Sequence, residues 1–386
     1  MLVDLHAHFP MHLMPPAQRR THDHVRAWSR RRWQAWIVNL ISWFANYQGP
    51  GHSPSVREEL IVDGDVGVIL SVLYIALDEM DLGQSYGAPP QGIYFRDLEA
   101  ELETVEQHVA SRGGSIGIAH SPAELDRLIV AGTPALIHAV EGAFHLGDSE
   151  AEVRAHVARL AQLGVAYVTI AHLFWRQVAT NAPALPFLPD WLYKRVFPEP
   201  DEGLTALGRA AVEAMVDRGV LVDLTHMSPR ALKETFDLLD RLDPGSGVPL
   251  IATHIGCRFG NHEFCFTDET IREVARRGGV MGCNFSKHWM TDGLPGRVRG
   301  FDDSVEVLYK HIDRIRDLTG SFDHVAVGSD LDGYIKPALP GLEHMGRMAD
   351  LQRALRKRYG PADAEKICSA NALRALKAGW RGGSAP

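Results

Sequence analysis

The sequence of 386 residues contains few cysteines, and their spacing does not suit disulfide or zinc-knuckle chemistry. The four cysteines are Cys257, Cys265, Cys283 and Cys368, and no two of them form a Cys-x-x-Cys pair. Disulfide scaffolds need more cysteines, and structural zinc knuckles need them at closer spacing. The cysteine content therefore argues against both of these protein classes.

Long apolar runs and an excess of positive charge are also missing. No apolar run reaches the roughly 18 residues that a membrane-spanning helix needs, so we expect no membrane span. The formal net charge of −8 leaves no basic surface of the kind that binds nucleic acid. No apolar leader precedes Asp4 and His6, and we expect a cytoplasmic location.

Short apolar segments alternate with helical patterns along almost the whole chain. The strand candidates are 2–8, 66–77, 115–120, 135–142, 166–172, 220–226, 249–254, 279–285 and 324–330. Helical patterns lie at 149–163, 203–218, 228–240, 268–277 and 302–318, with Thr205, Ser228 and Thr267 as candidate N-caps. This alternation is typical of a parallel sheet. Because 115–120 is the weakest candidate, we count eight strands and predict a (β/α)8 barrel, an α/β fold.

Two segments interrupt this pattern within a predicted single domain over 1–386. Residues 14–60 carry tryptophans and other apolar residues at helical spacing, which predicts an amphipathic helix. This helix could line a pocket, pack on the barrel, form a dimer contact or touch a membrane. Residues 173–202 form a proline-rich insertion after a strand, where a lid or pocket wall is expected. A homodimer is the expected assembly because two-fold oligomers are the most common.

Six predicted strands end in side chains that can bind a metal or move a proton. Catalytic groups of parallel barrels come from this carboxyl edge. The residues are His6, His8, Glu141, His172, His226, His254 and Asp330. His6, His8 and Asp4 share one strand face, where Asp4 could orient a ligand imidazole through its other nitrogen or be a simple hydrogen-bonded strand residue. His138, on the opposite face from Glu141, is expected against the outer helices. The set predicts a metal site.

Four histidines and a carboxylate exceed the usual three protein ligands and one water of a single catalytic zinc. They suit two divalent ions about 3.5–4 Å apart, which share a water and polarise a substrate carbonyl. Glu141 is the natural bridge. His6 and His8 would hold one ion, and His226 and His254 the other. Zinc is the first expectation, although manganese, iron or cobalt would also fit.

Two further strand-end residues are left for the chemistry. Asp330 would take a proton from the water that the metals activate and deliver it to the leaving nitrogen. His172 would face the developing oxyanion, with a simple hydrogen-bonded histidine as the alternative.

Six stretches of the chain match a known pattern in the same order. They are VEG at 140–142, LGVAYVTIAH at 163–172, GLTALGRAAVEAMVDRGVLVDLTHMS at 203–228, PLIATH at 249–254, TDETIREVARRGGVMG at 267–282 and HVAVGSDLDG at 324–333. In these stretches the chain resembles the membrane (renal) dipeptidase family of the amidohydrolase superfamily. The resemblance implies a (β/α)8 barrel with a binuclear zinc site that cleaves dipeptides. It also implies that Glu141 bridges the metals, that His226 and His254 are ligands, that His172 binds the substrate carbonyl, and that Asp330 is the acid/base.

Three positions depart from the pattern of that family. His8 stands where the family usually has Asp, so the metal affinity should differ. Phe264 and Ser286 stand where the family carries an Arg and a Tyr that contact the substrate carboxylate. Arg258 in the same loop is a candidate substitute, and Asn284 is a further candidate substrate contact. Without a bidentate clamp, free dipeptides should bind poorly, which favours a blocked dipeptide, an N-acyl amino acid or another small amide.

The sequence therefore predicts an enzyme, a binuclear metal-dependent hydrolase that cleaves the amide bond of a dipeptide or a related N-acyl amino acid. An amidohydrolase acting on another small amide, a lactone or a phosphoester is an alternative, because the fold does not fix the substrate. A catalytically inactive barrel that serves as a binding or scaffold protein is an alternative from another class. The intact Asp330 and the five ligands argue against the inactive barrel.

Overall fold

The computed structural model describes residues 1–13, 54–81, 83–185, 188–333, 335 and 337–383. Most of the segment 14–60 lies outside the described residues, so its amphipathic helix stays a prediction. Its last residues begin helix α1, Glu58–Asp63. No helix in the described part of the chain is long and apolar enough to cross a bilayer.

The nine strands of the sheet fall on the nine predicted segments. They are β1 Leu2–Ala7, β2 Val66–Leu73, β3 Gly117–Ile118, β4 Ala135–Glu141, β5 Tyr167–Thr169, β6 Leu221–Asp223, β7 Ile251–Ile255, β8 Val280–Cys283 and β9 Val325–Val327. All of the strand pairs are parallel, and β1 pairs with both β2 and β9. Val68–Leu73 of β2 also pair with Ala135–Val140 of β4, which closes eight strands into a barrel. The predicted (β/α)8 barrel is confirmed, with β3 as the extra strand on β4.

Helices follow the strands around the outside of this barrel. After α1, they are α2 Ala76–Glu79, α3 Ile93–Ala110, α4 Pro122–Ala131, α5 Glu150–Gln162, α6 Asp190–Val196, α7 Ala206–Arg218, α8 Pro229–Leu242, α9 Asp268–Arg276, α10 Lys287–Met290, α11 Phe301–Thr319, α12 Met348–Glu365 and α13 Asn371–Gly379. The five predicted helical patterns correspond to α5, α7, α8, α9 and α11.

Three predicted N-caps begin helices that follow the strands of the site. The hydroxyls of Thr205, Ser228 and Thr267 each accept a hydrogen bond from the backbone N–H three residues further on. Each bond satisfies a donor that the first helical turn leaves free. The caps therefore fix where α7, α8 and α9 begin, and with that the length of the loops that carry site residues.

The proline-rich segment 173–202 lies beside the end of β6. The backbone N–H of Ala182 donates to the carbonyl of His226 at 2.7 Å. At the other end of the segment, Asp190 of α6 accepts from the N–H of Glu263 at 2.9 Å, in the loop after β7. These bonds hold the segment next to two strand ends of the site, where a pocket wall would have to be. Its action as a lid stays a prediction.

Candidate active site

The strand-end residues predicted from the sequence converge on one buried carboxylate. All of them are at most 5% exposed. Oε1 of Glu141 lies 3.3, 3.4 and 3.6 Å from the Nε2 atoms of His6, His226 and His254. Oε2 of Glu141 lies 3.4 and 3.2 Å from the Nε2 atoms of His8 and His172. Five imidazoles from the ends of four strands, β1, β5, β6 and β7, therefore point the same ring nitrogen at one carboxylate.

Asp330 lies at the edge of this group. Its Oδ1 is 3.3 Å from Nε2 of His8 and 3.9 Å from Nε2 of His6. Its Oδ2 accepts from Nδ2 of Asn284 at 3.5 Å. One oxygen of Asp330 thus faces the histidines of β1, and the other faces the end of β8. The structure brings Asn284 into the group as well.

The spacing of these atoms is that of a metal centre. Separations of 3.3–3.6 Å between the Glu141 oxygens and the Nε2 atoms of the four candidate ligand histidines exceed the roughly 2.7–3.2 Å of good hydrogen bonds. Ligand atoms about 2.0–2.2 Å from a tetrahedral ion lie roughly 3.3–3.6 Å from one another. Nε2 of His6 is buried and has no hydrogen-bond partner among the described residues. These residues fit divalent metal ions.

A second histidine–carboxylate cluster, on the outside of the barrel, provides a contrast. Nε2 of His120 and Nε2 of His138 lie 2.7 and 2.8 Å from the same oxygen of Glu106. These are hydrogen-bond lengths, and they are too short for ligands that share one ion. The cluster ties α3 to β4 and to the residues after β3. His138 contacts the outer helices, as the alternation of the strand predicts.

The charges at the centre favour a bound cation. Burial would raise the pKa of Glu141, but the attraction of His172 and His6 outweighs burial and holds this pKa well below its usual range. Burial lowers the pKa of His226, and burial together with the positive field of His6 lowers that of His254. An ionised carboxylate and neutral imidazoles are the ligand forms that divalent metals bind.

His172 differs from these neutral histidines. Burial alone would lower its pKa, but the attraction of Glu141 and of Glu79 raises it to about 9. A carboxylate on each side of the ring, Glu79 at Nδ1 and Glu141 at Nε2, accounts for this difference. The separate role predicted for His172 stays a prediction.

A threonine hydroxyl contacts two of the imidazoles at Nδ1, the ring nitrogen that faces away from Glu141. Oγ1 of Thr253 lies 2.9 Å from Nδ1 of His254 and 3.2 Å from Nδ1 of His6. The same hydroxyl donates to Oδ2 of Asp223 at 2.8 Å, so it accepts from the two rings. The Tyr167 hydroxyl lies 2.8 Å from Nδ1 of His6 and donates to the Leu5 carbonyl. Protons held on Nδ1 leave the Nε2 lone pairs directed at the centre.

The role predicted for Asp4 is wrong. Its Oδ1 accepts from the backbone N–H groups of His6 and Ser329, at 3.1 and 2.9 Å. It ties β1 to the residues after β9 and does not bond an imidazole nitrogen. Side chains of β5 and β7, Tyr167 and Thr253, reach the Nδ1 of His6 across the barrel interior instead, and this packing cannot be read from the sequence.

Two site residues have left-handed backbone conformations. The φ angles are +68° at His226 and +57° at Asp330. This conformation costs about 1–2 kcal/mol for a residue with a side chain. The N–H of Asp330 donates to the carbonyl of His6 at 2.9 Å, and a Cβ at Gly333 would lie 2.0 Å from Oδ1 of Asp330. The chain therefore turns sharply here to direct Asp330 at the histidines.

The predicted substrate contacts have different surroundings. The Arg258 guanidinium donates to the carbonyls of Cys265 and Glu263, at 2.9 and 2.7 Å, so its own loop holds it. Its role as a substitute carboxylate clamp stays a prediction. Phe264 is buried, with its ring edge-to-face with that of His226 at 5.0 Å between centroids, and stacked on Trp289 at 4.1 Å. An aromatic pair thus lies directly beside a candidate ligand.

Sequence reasoning missed one buried carboxylate of the site. Oε2 of Glu79, the last residue of α2, lies 2.7 Å from Nδ1 of His172. The signal was an acidic residue in the largely apolar stretch YIALDEM that follows β2. A buried ionised carboxylate needs a hydrogen-bonding or charged partner, so Glu79 could have been identified from the sequence as a candidate residue of the site.

Several curated proteins are similar in sequence to this chain. An uncharacterised protein encoded in the pqqA 5′ region of Klebsiella pneumoniae is 26% identical over 293 residues, which cover 74% of this chain and 96% of that protein. A dipeptidase of Claviceps purpurea is 24% identical over 324 residues, which cover 82% of this chain and 67% of that protein.

Solved structures share the fold. A metallopeptidase from Rhodobacter sphaeroides, solved with a phosphinate mimic of the dipeptide L-Ala-D-Ala, superposes with a TM-score of 0.70 at 20% identity, covering 98% of this chain and 99% of that chain. Residues 61–379 match the family model for membrane dipeptidases, peptidase family M19. Because this match spans most of the chain, the protein belongs to the membrane dipeptidase family and is a metal-dependent hydrolase.

Proposed function

We propose that the protein is a binuclear metallo-dipeptidase that cleaves the amide bond of a dipeptide or of a related small N-acyl amino acid. The observation that carries the proposal is the central position of Glu141. Its Oε2 lies 3.4 Å from His8, and its Oε1 lies 3.4 and 3.6 Å from His226 and His254. One carboxylate can therefore serve two groups of histidines.

Two divalent ions account for the number of ligands. His6 and His8 would hold one ion, and His226 and His254 the other, with Glu141 shared. Bound divalent ions lower the pKa of a water molecule and polarise an amide carbonyl. Nitrogen-rich ligation makes zinc the first candidate, and manganese, iron and cobalt are compatible with the same ligands.

Asp330 and His172 supply the proton transfers and the charge stabilisation. Oδ1 of Asp330 faces His8, so the carboxylate can accept a proton from the attacking water and deliver it to the leaving nitrogen. Nε2 of His172 lies 3.2 Å from Oε2 of Glu141, so an N–H on this nitrogen would be directed at the same centre. That donor can bind the amide oxygen as negative charge develops on it.

The surroundings of Phe264 favour a substrate that has no free carboxylate at this point. An aromatic ring stacked on Trp289 offers no N–H donor to an anion. The buried hydroxyl of Ser286 has no hydrogen-bond partner among the described residues and can contact a polar but uncharged group. We therefore propose that blocked dipeptides or N-acyl amino acids are cleaved better than free dipeptides.

The test is metal analysis and turnover on one sample. Protein purified without chelator is analysed for metal per chain and assayed against free dipeptides, the same dipeptides with a blocked carboxylate, and N-acyl amino acids. We expect two metals per chain and a higher kcat/KM for substrates without the free carboxylate. Absence of metal, and no turnover after zinc or manganese is added, would overturn the proposal and favour the inactive barrel.

A further inference from the structure

One imidazole of the site lies between two buried carboxylates. Nδ1 of His172 is 2.7 Å from Oε2 of Glu79, and Nε2 of the same ring is 3.2 Å from Oε2 of Glu141. Glu79 is 1% exposed and Glu141 is 1% exposed, so water does not screen either contact. Since a carboxylate oxygen is an acceptor, the ring donates to Glu79 through an N–H on Nδ1.

Glu79 is itself held in one orientation. The hydroxyl of Tyr74 donates to Oε2 at 2.7 Å, and the backbone N–H of Phe174 donates to Oε1 at 2.9 Å. Nε of Arg176 donates to the backbone carbonyl of Glu79 at 2.7 Å. Phe174 and Arg176 follow His172 closely in sequence, so the loop after β2 and the loop after β5 are joined at this carboxylate.

We propose that Glu79 is the positioning residue for His172. It accepts the hydrogen bond from Nδ1 and so keeps the Nε2 edge of the ring turned to the metal-binding group and to the substrate carbonyl oxygen. Glu79 does not touch the substrate. This inference rests on the function proposed for His172, and the experiment separates the two.

The central variant is Glu79→Gln, which keeps the volume of the side chain. Its amide oxygen can still accept from the N–H of Phe174, and the hydroxyl of Tyr74 can reverse to accept from the amide nitrogen. The amide N–H then faces Nδ1 of His172, which has to become an acceptor. The ring loses its Nδ1 proton and the charged acceptor that orients it.

We expect Glu79→Gln to lower kcat by about 10- to 100-fold, because the carboxylate that orients the ring is replaced by an amide that cannot accept the Nδ1 proton in the same position. KM and metal content should stay close to those of the wild type. In protein labelled with ¹⁵N-histidine, the His172 signals are identified by their loss in His172→Gln. In Glu79→Gln they should show that Nδ1 has lost its proton and that the proton lies on Nε2.

Glu101→Gln is the matched control. Oε2 of Glu101 accepts from the backbone N–H of Tyr74 at 2.9 Å, so this variant also alters a buried carboxylate that supports the loop after β2. We expect kcat to stay within about twofold of the wild type, because the ring of His172 keeps its charged partner. Equal losses in Glu79→Gln and Glu101→Gln would mean that loop packing is responsible, and would overturn the inference.

Further variants separate the remaining outcomes. Glu79→Asp keeps the charge, and its kcat should lie between those of Glu79→Gln and the wild type. A loss in Glu79→Asp as large as that in Glu79→Gln would count against the carboxylate as the orienting group. If Glu79→Gln does not fold, Glu79→Asp is measured in its place. Normal turnover in Glu79→Gln beside an inactive His172→Gln would overturn the positioning role alone. Normal turnover in His172→Gln would instead overturn the proposed role of His172.

Discussion

Oγ1 of Thr253 lies 2.9 Å from Nδ1 of His254, its neighbour in sequence. The same oxygen lies 3.2 Å from Nδ1 of His6, 247 residues away in sequence, and donates its own proton to Asp223. A single hydroxyl therefore sets the orientation of imidazoles that we assign to two different metal ions. Its loss should affect both ions together.

Thr253→Val removes this hydroxyl with little change in volume. Both Nδ1 protons lose an acceptor, and we expect metal affinity to fall by about 10- to 100-fold. Chelator competition with zinc measures the affinity. Thr235→Val is the control, because the buried hydroxyl of Thr235 bonds only the sulfur of Met227 among the described residues, and its affinity should match the wild type. Unchanged affinity in Thr253→Val would contradict the shared role.

Glu141→Ala should abolish the binding of both metals. Without the central carboxylate, the four candidate ligand imidazoles would lack the negative charge of Glu141 that helps to balance two cations. Metal content per chain after exhaustive dialysis measures the effect, and circular dichroism checks that the barrel is folded. Two metals retained in a folded variant would show that another group bridges them.

Asp330→Asn should retain metal and lose turnover. The amide keeps the shape of the side chain but cannot accept a proton as a carboxylate does. We expect kcat to fall by about 10²–10⁴-fold, the usual contribution of general acid–base catalysis. Steady-state kinetics and metal analysis on the same preparation give the result. Turnover near the wild-type rate would remove Asp330 from the mechanism.

Glu106→Gln should destabilise the protein most between pH 4.5 and 6.5. Burial would raise the pKa of Glu106, but hydrogen bonds from His120 and His138 outweigh it and lower this pKa from 4.5 to about 2. This stabilisation is present above pH 4.5 and is lost as the pH falls towards 2. Burial would lower the pKa of His120, but Glu106 and Glu124 raise it above 6.5. That contribution is full below pH 6.5 and is lost as the pH rises through the raised value.

Urea unfolding of metal-saturated protein at pH 5.5 and pH 9 tests this dependence. Relative to the wild type, we expect Glu106→Gln to lose about 2 kcal/mol at pH 5.5, the size of a hydrogen bond to a charged group, and less at pH 9. Glu103→Gln is the control on the same helix, since the exposed Glu103 bonds Gln107. An equal loss at both pH values would contradict the assignment.

The sequence predicted those features that depend on local pattern. Apolar runs marked the strands, and the residue that ends each run marked the site, because the carboxyl ends of parallel strands meet. His6, His226 and Asp330 could be found in this way. The contacts behind the ligands could not, because they join residues from different strands. Tyr167 reaches the His6 ring, and Glu79 reaches the His172 ring, through packing that no sequence period encodes.

The left-handed backbone at His226 and Asp330 has a consequence for the balance between activity and stability. Asparagine and glycine adopt positive φ more readily than histidine or aspartate. Inactivated variants such as Asp330→Asn or His226→Asn can therefore release strain that the active protein retains. The wild type would then be less stable than some of its own inactive forms. Those forms would be good starting points for trapping an uncleaved substrate in a crystal.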